Sequence, residues 1–167
     1  DGAATIVSPP SADASACSLS LSSRIILAAV FAPIPLASAF YTPNAARNWT
    51  KSQAVAINAM YAALKDNVKA VDIYSALAKH VHEDIYSRTD HHWAPLGGYY
   101  AAKEFARVAG VPFKDISNYD AVTINNYVGS MYNYSKDPAV KSSPEKFVYH
   151  KPRNISYTTT YINIRLG

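Results

Sequence analysis

The sequence predicts an α/β domain with a mainly parallel sheet. Strand-like apolar segments alternate with segments of helical periodicity between about residues 25 and 110, as in parallel sheets with crossover helices. A length of 167 residues suits one domain with its own core, and 49% hydrophobic and 17% charged residues are typical of a globular protein. We expect this domain over residues 24–167, after a disordered or loop-rich segment, residues 1–23, that is rich in Ser, Ala and Pro.

The first predicted element is a buried strand, Ile25–Phe31. Residues 23–40 also imitate a signal peptide, because a basic residue precedes the apolar run and an Ala-Ser-Ala sequence follows it. The run begins well inside the chain and is followed by Pro33 and Pro35, which favours a buried strand leading into a loop. The sequence leaves both interpretations of this segment open.

A helix is predicted over residues 51–66. Thr50 and Gln53 form a capping-box pattern, in which each side chain bonds the backbone amide of the other residue, and apolar residues then recur at helical spacing. The segment Val68–Ile73 is apolar and β-branched, which predicts a short strand. The letters "SALAKHVH" after it predict one or two helical turns.

The best-marked helix begins at Pro95, where a missing N–H costs nothing, and ends at Gly110. Gly97 and Gly98 are poor helix formers in its first turn, so we expect another backbone or a substrate to approach there. After residue 113 the chain is polar and rich in tyrosine. Two later segments, "KFVYH" and "ISYTTTYINIRL", read as strands.

The charge distribution argues against nucleic-acid binding. The net charge is +4, but the 16 basic residues are scattered, without a basic run or an arginine-rich helix. Such a charge is equally compatible with an anionic polysaccharide or a negative cell envelope. The one cysteine, Cys17, excludes an intrachain disulfide and a thiolate zinc cluster. No stretch is long and apolar enough for a convincing transmembrane helix.

The most informative stretch is "YSRTDHHW", directly before the best-marked helix. A serine nucleophile needs a histidine base, and that histidine needs a carboxylate that orients it. Asp90 and His92 have a suitable spacing, since the two side chains project to the same side of an extended segment. His91 would then point away, and Trp93 would pack the loop against the core. Arg88 could pair with the carboxylate, bind an anionic substrate group or lie on the surface.

A metal site is the competing interpretation of this region. Its ligands would come from His80, His82, Asp90, His91 and His92. His80 and His82, however, read as residues at the end of a helix, where they diverge and are favoured by the helix dipole. We therefore expect neither a metal nor a cofactor.

The chain resembles the DHHW protein family, which is similar to SGNH-hydrolase-like proteins and to alginate O-acetyltransferases. The blocks "VDIYSAL", "DIYSRTDHHWAPLGGYYAAKEFARVAGV" and "YVGSMYNYS" carry the resemblance, over roughly residues 25–135. It implies a three-layer α/β/α sandwich outside the cytoplasm. It also implies acyl-ester chemistry on a glycan, with Asp90 as the orienting carboxylate and His92 as the base. As substrate-binding residues we expect Arg88 and Tyr132.

The resemblance also implies a serine of a Gly-Asp-Ser type that follows the Asp-x-His block, and no such block follows His92. Ser130 and Ser135 do not follow apolar strands, and Ser8 lacks the preceding Gly-Asp. We therefore expect an incomplete SGNH-like domain that is truncated before its nucleophile and inactive by itself.

The leading hypothesis is a carbohydrate esterase or O-acyltransferase that acts on an envelope or extracellular glycan. Its partners would be a carbohydrate or acyl-ester substrate and no nucleic acid, with association at the membrane surface or in an envelope complex. The alternative is a non-enzymatic carbohydrate-binding or structural envelope protein, whose surface would be the tyrosine-rich region 119–134.

Overall fold

Helices and short strands alternate along the chain in the computed structural model, which describes residues 29–42, 52–154, 156 and 158. The elements are, in chain order, β1 (Ala29–Phe31), α1 (Ser38–Tyr41), α2 (Gln53–Ala62), β2 (Val68–Ala70), α3 (Ile73–Ala78), α4 (Pro95–Ala109), a 3-10 turn (Ile116–Asn118), β3 (Tyr119–Tyr127), α5 (Met131–Ser135), α6 (Pro138–Lys141) and β4 (Glu145–Pro152). All of them belong to one unit, Leu27–Pro152.

The described strands form two separate pairs. β1 and β2 are parallel, with Ala29 opposite Val68 and Phe31 opposite Ala70. β3 and β4 are antiparallel. The fold is therefore mixed α/β, as predicted, but the described strands make one parallel and one antiparallel pair instead of a mainly parallel sheet. A three-layer sandwich stays a prediction.

The first half of the chain follows the predicted order with shorter elements. Of the strand predicted at Ile25–Phe31, Ala29–Phe31 is a strand and the preceding residues lie outside the described part. The second strand ends at Ala70, because Asp72 caps α3 by accepting a 3.0 Å hydrogen bond from the amide of Ser75.

The predicted capping box of α2 lies only partly within the described residues. Thr50 lies outside the described residues, and Ser52 is the N-cap, without a side-chain hydrogen bond. The Gln53 side chain instead accepts from the amide of Leu36 and donates to the hydroxyl of Ser38, both at 2.9 Å. Gln53 thus ties the helix to the proline-containing loop after β1.

The long helix α4 begins at Pro95 and ends before Gly110, whose φ of 72° is left-handed, as the sequence predicts. The expected close approach occurs at Gly97, where an added Cβ would lie 2.2 Å from the carbonyl oxygen of Ile85. At Gly98 the nearest atoms are those of the Trp93 ring at 3.9 Å, which is ordinary contact. Only the first of the two glycines is therefore required by space.

The core lies between α3, α4 and the loop that joins them. Its buried members are Val71, Ile73, Leu77, Ile85, Tyr86 and Ala101. Trp93 packs against this cluster, which confirms its predicted role. The loop that carries the Asp-His-His-Trp sequence is thereby seated on the core.

The strand β3 was not predicted. Its letters "YDAVTINNY" are mostly polar, most of its residues are exposed, and no clean alternation marks it. The β4 strand contains the predicted "KFVYH" and pairs with β3 from Tyr119 opposite Pro152 to Tyr127 opposite Glu145. Apart from Ser156 and Thr158, the segment "ISYTTTYINIRL" lies outside the described ranges, as do residues 1–23. Within those ranges, the helices are all too short or too polar to cross a membrane.

Candidate active site

Asp90, His91 and His92 lie at the tip of a closed loop between α3 and α4, and Trp93 lies at its base. Tyr86 and Trp93 form an isolated antiparallel bridge, and the amide of Ala94 donates to the carbonyl of Ile85 at 2.9 Å. The residues between them bend instead of extending. The loop therefore holds Asp90 in a buried position.

Asp90 and His92 form a hydrogen-bonded pair. The Nδ1 atom of His92 lies 2.6 Å from Oδ1 of Asp90, and the backbone amide of His92 donates to the same oxygen at 3.1 Å. The carboxylate is largely buried, with 11% of its side chain exposed, whereas the imidazole of His92 is 67% exposed. In the described part of the chain, Nε2 of His92 has no hydrogen-bond partner, so this nitrogen is free to accept a proton.

Two further groups contact the Asp90 carboxylate. The amide of Ser130 donates to Oδ2 at 2.8 Å, and the hydroxyl of Tyr127 lies 3.4 Å from the same oxygen. Burial raises the pKa of Asp90, but hydrogen bonds from Ser130 and His92 outweigh it and hold the pKa well below its ordinary value. Asp90 is therefore a carboxylate at neutral pH and can stabilise an imidazolium.

His91 does not point away from the site. Its Nδ1 lies 2.9 Å from the hydroxyl of Ser130 and 3.5 Å from Oδ1 of Asp90, and its ring centroid is 3.8 Å from that of His92. The prediction assumed an extended segment, in which neighbouring side chains alternate. Because the loop bends here, both imidazoles lie beside the same carboxylate.

A second buried carboxylate, Glu145 at the start of β4, holds the loop from another side. It accepts hydrogen bonds from the hydroxyl of Ser87, the amide of Arg88, and both the amide and the hydroxyl of Thr89. Burial raises the pKa of Glu145, but these hydrogen bonds outweigh it and lower the pKa. Sequence reasoning missed Glu145, since no local pattern relates it to a loop more than fifty residues earlier.

Sequence reasoning also does not place the turn at Gly129 and Ser130 in the site, although "YVGSMYNYS" is one of the blocks that carry the family resemblance. An added Cβ at Gly129 would lie 2.5 Å from the Cβ of Asp90 and 2.7 Å from the carbonyl oxygen of Thr89. The usable signal is an isolated glycine within a polar, tyrosine-rich segment, since such a glycine can mark a close approach of backbone.

The contacts described for the two predicted substrate-binding residues, Arg88 and Tyr132, are with residues other than Asp90 and His92. Arg88 is 73% exposed, with Nε 3.9 Å from a carboxylate oxygen of Glu145. The ammonium groups of Lys136 and Lys141 lie 5.8 and 5.5 Å from the centroid of the Tyr132 ring, respectively. Their contact with a substrate stays a prediction.

The other serines considered in the sequence have different positions. Ser135 donates to the carbonyl of Met131 and accepts from the amide of Asp137, so it closes the end of α5. Ser8 lies outside the described residues. Ser130 bonds His91, and in the part of the chain that the structure describes no serine hydroxyl is hydrogen-bonded to His92.

An open cavity of about 420 Å³ adjoins the exposed imidazole of His91. It is lined by apolar, aromatic and polar side chains of α5, α6 and the loop, namely His91, Met131, Tyr134, Ser135, Asp137 and Val140. The Tyr134 ring is 79% exposed and lies edge-on to His91, with centroids 6.0 Å apart. Such a mixed lining suits a polar ligand with apolar faces.

The five residues considered as metal ligands lie in two separate places. Asp90, His91 and His92 offer ligand-type atoms within 4.8 Å of one another. His80 instead bonds Glu83 at 2.6 Å and stacks on Tyr100, with ring centroids 3.5 Å apart. Two histidines and one carboxylate could hold zinc, but the same Asp90 and His92 atoms already bond each other.

Comparison with known proteins gives a family and a fold. The model of a family described as DHHW protein matches residues 25–163. A crystal structure of a DHHW family protein from Eubacterium siraeum DSM 15702 is 42% identical, with a TM-score of 0.71, over 75% of this chain and 42% of that one. No curated protein matches the chain.

Two more distant structures share the fold. PatB1 of Bacillus cereus is 20% identical, with a TM-score of 0.61, over 77% of this chain and 46% of its own. The O-acetyltransferase domain of AlgJ from Pseudomonas putida is 19% identical, with a TM-score of 0.51, over 77% of this chain and 51% of its own. The chain thus spans about half, or less, of each of these structures.

Proposed function

The chain belongs to the DHHW protein family, and from this premise we propose that it carries the acid–base pair of an SGNH-like carbohydrate esterase or O-acyltransferase. His92 takes a proton from a serine hydroxyl and later returns it to the leaving group, while Asp90 orients the imidazole and stabilises its charged form. The substrate is an acyl ester of an envelope or extracellular glycan, met outside the cytoplasm. AlgJ of Pseudomonas putida, whose described domain is an O-acetyltransferase, supports the reaction class through its shared fold.

The observation that carries the proposal is the 2.6 Å contact between Nδ1 of His92 and Oδ1 of Asp90. It fixes the tautomer in which Nδ1 holds the proton and Nε2 is the acceptor. Because the imidazole is 67% exposed while the carboxylate is buried, the base faces outward toward a reactant and its partner does not. That division of exposure suits a general base better than a structural ion pair.

The nucleophile in this proposal is a serine outside the described residues. Ser130 is the nearest alternative, but its hydroxyl bonds Nδ1 of His91, and His91 uses the same nitrogen toward Asp90. A relay needs the carboxylate and the serine on opposite ring nitrogens. The Ser130–His91–Asp90 contacts therefore do not make a triad.

The test is acyl-ester turnover by the full-length protein with O-acetylated oligosaccharides and a small acetyl ester. We expect His92→Ala and Asp90→Asn each to reduce kcat by about three to four orders of magnitude, as for other histidine–carboxylate pairs. His82→Ala removes a 75% exposed histidine whose Nε2 lies 3.8 Å from Glu83, and it serves as the matched control. Equal turnover by His92→Ala and wild type would refute the acid–base role.

The 167-residue polypeptide is proposed to be inactive alone. Turnover by the 167-residue polypeptide that is lost in His92→Ala would overturn this part and would place a nucleophile within these residues.

A non-enzymatic carbohydrate-binding protein is the second candidate, and the exposed Tyr134 ring beside the cavity favours it. An exposed aromatic ring offers an apolar face to a sugar while its hydroxyl bonds the ring substituents. If the protein has this second function, glycan affinity should fall in Tyr134→Ala and stay unchanged in His92→Ala, and no variant should turn over an ester.

A further inference from the structure

Glu145 is a buried charge whose donors all come from the residues directly before Asp90. Its side chain is 8% exposed. The amide of Arg88 donates at 2.9 Å and the amide of Thr89 at 2.8 Å, while the hydroxyls of Ser87 and Thr89 donate at 2.5 Å. A buried carboxylate is stable only with such donors, and these donors in turn hold three consecutive loop residues to β4.

Thr89 connects the Glu145 carboxylate to the turn at Gly129 and Ser130. A hydroxyl has one proton, and that of Thr89 goes to Glu145, so its oxygen is left to accept from the amide of Gly129 at 2.9 Å. The next two amides along the turn continue the contact: Ser130 donates to Oδ2 of Asp90 and Met131 donates to the carbonyl of Thr89 at 3.0 Å.

From this chain of contacts we infer that Glu145 is a positioning residue for the Asp90–His92 pair, acting through Thr89 and touching no substrate. The inference rests on the proposed function in one respect, namely that Asp90 and His92 are the working pair. Glu145 fixes the direction of the Thr89 hydroxyl, Thr89 fixes the Gly129 turn, and the turn supplies the amide that holds the far oxygen of Asp90. With Oδ2 held there, Oδ1 faces His92.

The charge of Glu145 is essential to this arrangement. A carboxylate only accepts hydrogen bonds, whereas a glutamine amide has one accepting oxygen and one donating nitrogen. In Glu145→Gln the nitrogen would face donors, so the contacts to Ser87, Arg88 and Thr89 could not all form. The loop would shift, and the Asp90–His92 hydrogen bond would loosen.

The test follows the Nδ1 proton of His92 by NMR in the folded chain, identified by its loss in His92→Ala. A proton held between imidazole and carboxylate gives a separate downfield resonance that exchanges slowly with water. We expect exchange at least tenfold faster, or loss of the resonance, in Glu145→Gln and in Thr89→Val. Glu104→Gln, which removes a charge bound to Arg107 on α4, is the matched control and retains the wild-type resonance.

The Thr89 variants decide the question if Glu145→Gln does not fold. Thr89→Val keeps the buried shape and removes the hydroxyl, whereas Thr89→Ser keeps the hydroxyl, so the serine variant should retain the slow-exchanging proton. An unchanged His92 resonance in folded Thr89→Val or Glu145→Gln, with only a lower Tm, would overturn the inference, because Glu145 would then be merely structural.

Failure of the inference can be told apart from failure of the proposed function. The resonance reports a hydrogen bond and needs no turnover. A full-length protein without ester turnover, but with the expected exchange pattern, would remove the function and leave the positioning role. Where turnover exists, Thr89→Val should lower kcat by about tenfold to a hundredfold and leave KM within about twofold, since misplacement near the reacting group costs rate.

Discussion

Gly129 lies directly against Asp90, with no room for a side chain between them. A Cβ atom at position 129 would be 2.5 Å from the Cβ and 2.7 Å from Oδ2 of Asp90. Among the glycines whose placement is described, only Gly110 has a positive φ, so Gly129 is required for space and not for backbone conformation. This part of the site is therefore made by two segments far apart in sequence, and the missing side chain of Gly129 lets its turn pack directly on Asp90.

Gly129→Ala is expected to destabilise the fold by about 1–3 kcal/mol, as overpacking of a closed contact does. The added methyl group must push the turn away from Asp90, which breaks the hydrogen bond from the Ser130 amide. Urea unfolding measures the stability, and the Nδ1 proton of His92 reports the site. Wild-type stability together with a retained proton resonance would contradict the packing described here.

The neighbouring glycines of α4 should respond in opposite ways. Gly97→Ala places a methyl group 2.2 Å from the carbonyl oxygen of Ile85, whereas Gly98→Ala meets only the Trp93 ring at 3.9 Å. We expect the first variant to lose stability and the second to gain about 0.5–1 kcal/mol, since alanine favours the helix. Equal stabilities of the two variants in urea unfolding would show that Ile85 does not approach the helix as described.

The stability of the fold should fall with acidification partly through Asp90. Its folded-state pKa lies below the value of about 3.9 expected in the unfolded chain. A group of this kind stabilises the fold above the unfolded-state pKa, and its contribution is lost as the pH falls through the folded-state pKa. We expect the wild-type unfolding free energy to fall from about pH 5 downward, and more steeply than that of Asp90→Asn.

Glu145 shifts in the same direction and is present in both proteins, so the difference between the two pH profiles isolates Asp90. Parallel profiles for wild type and Asp90→Asn would mean that Asp90 is not held by its hydrogen bonds in the folded state.

The local half of the site could be predicted from sequence, because its members are neighbours in the chain. Asp90 and His92 are two residues apart, so a bend brings them together whatever the rest of the fold does. Glu145 and Gly129 reach the loop through the pairing of β3 with β4 and the segment between these strands, and no short pattern encodes a contact across that distance. His91 was misplaced for a local reason, namely the bend of the loop.

The elements of the fold likewise differ in how far local sequence specifies them. α4 has a proline at its start, a left-handed glycine at its end and an apolar face, so local chemistry specifies it. β3 has mostly exposed residues, and its pairing with β4 shifts between Ile124 and Tyr127. A polar strand with an irregular register carries little periodic signal, since tertiary pairing and not burial defines it.

A divalent metal is expected to compete with the acid–base pair instead of supporting it. The ligand-type atoms of Asp90, His91 and His92 lie within 4.8 Å of one another, and the Asp90–His92 hydrogen bond already uses two of these residues. Zinc binds deprotonated imidazole, so a bound ion would take the nitrogen or the carboxylate on which the base depends. Ester turnover by the full-length protein should therefore persist in a chelator and fall when Zn²⁺ is added.

His91→Ala removes one ligand and leaves the Asp90–His92 bond, so this variant should keep turnover and need more Zn²⁺ for inhibition. Loss of turnover in the chelator, with recovery on addition of Zn²⁺, would identify the three residues as a catalytic metal site and the acid–base assignment as wrong.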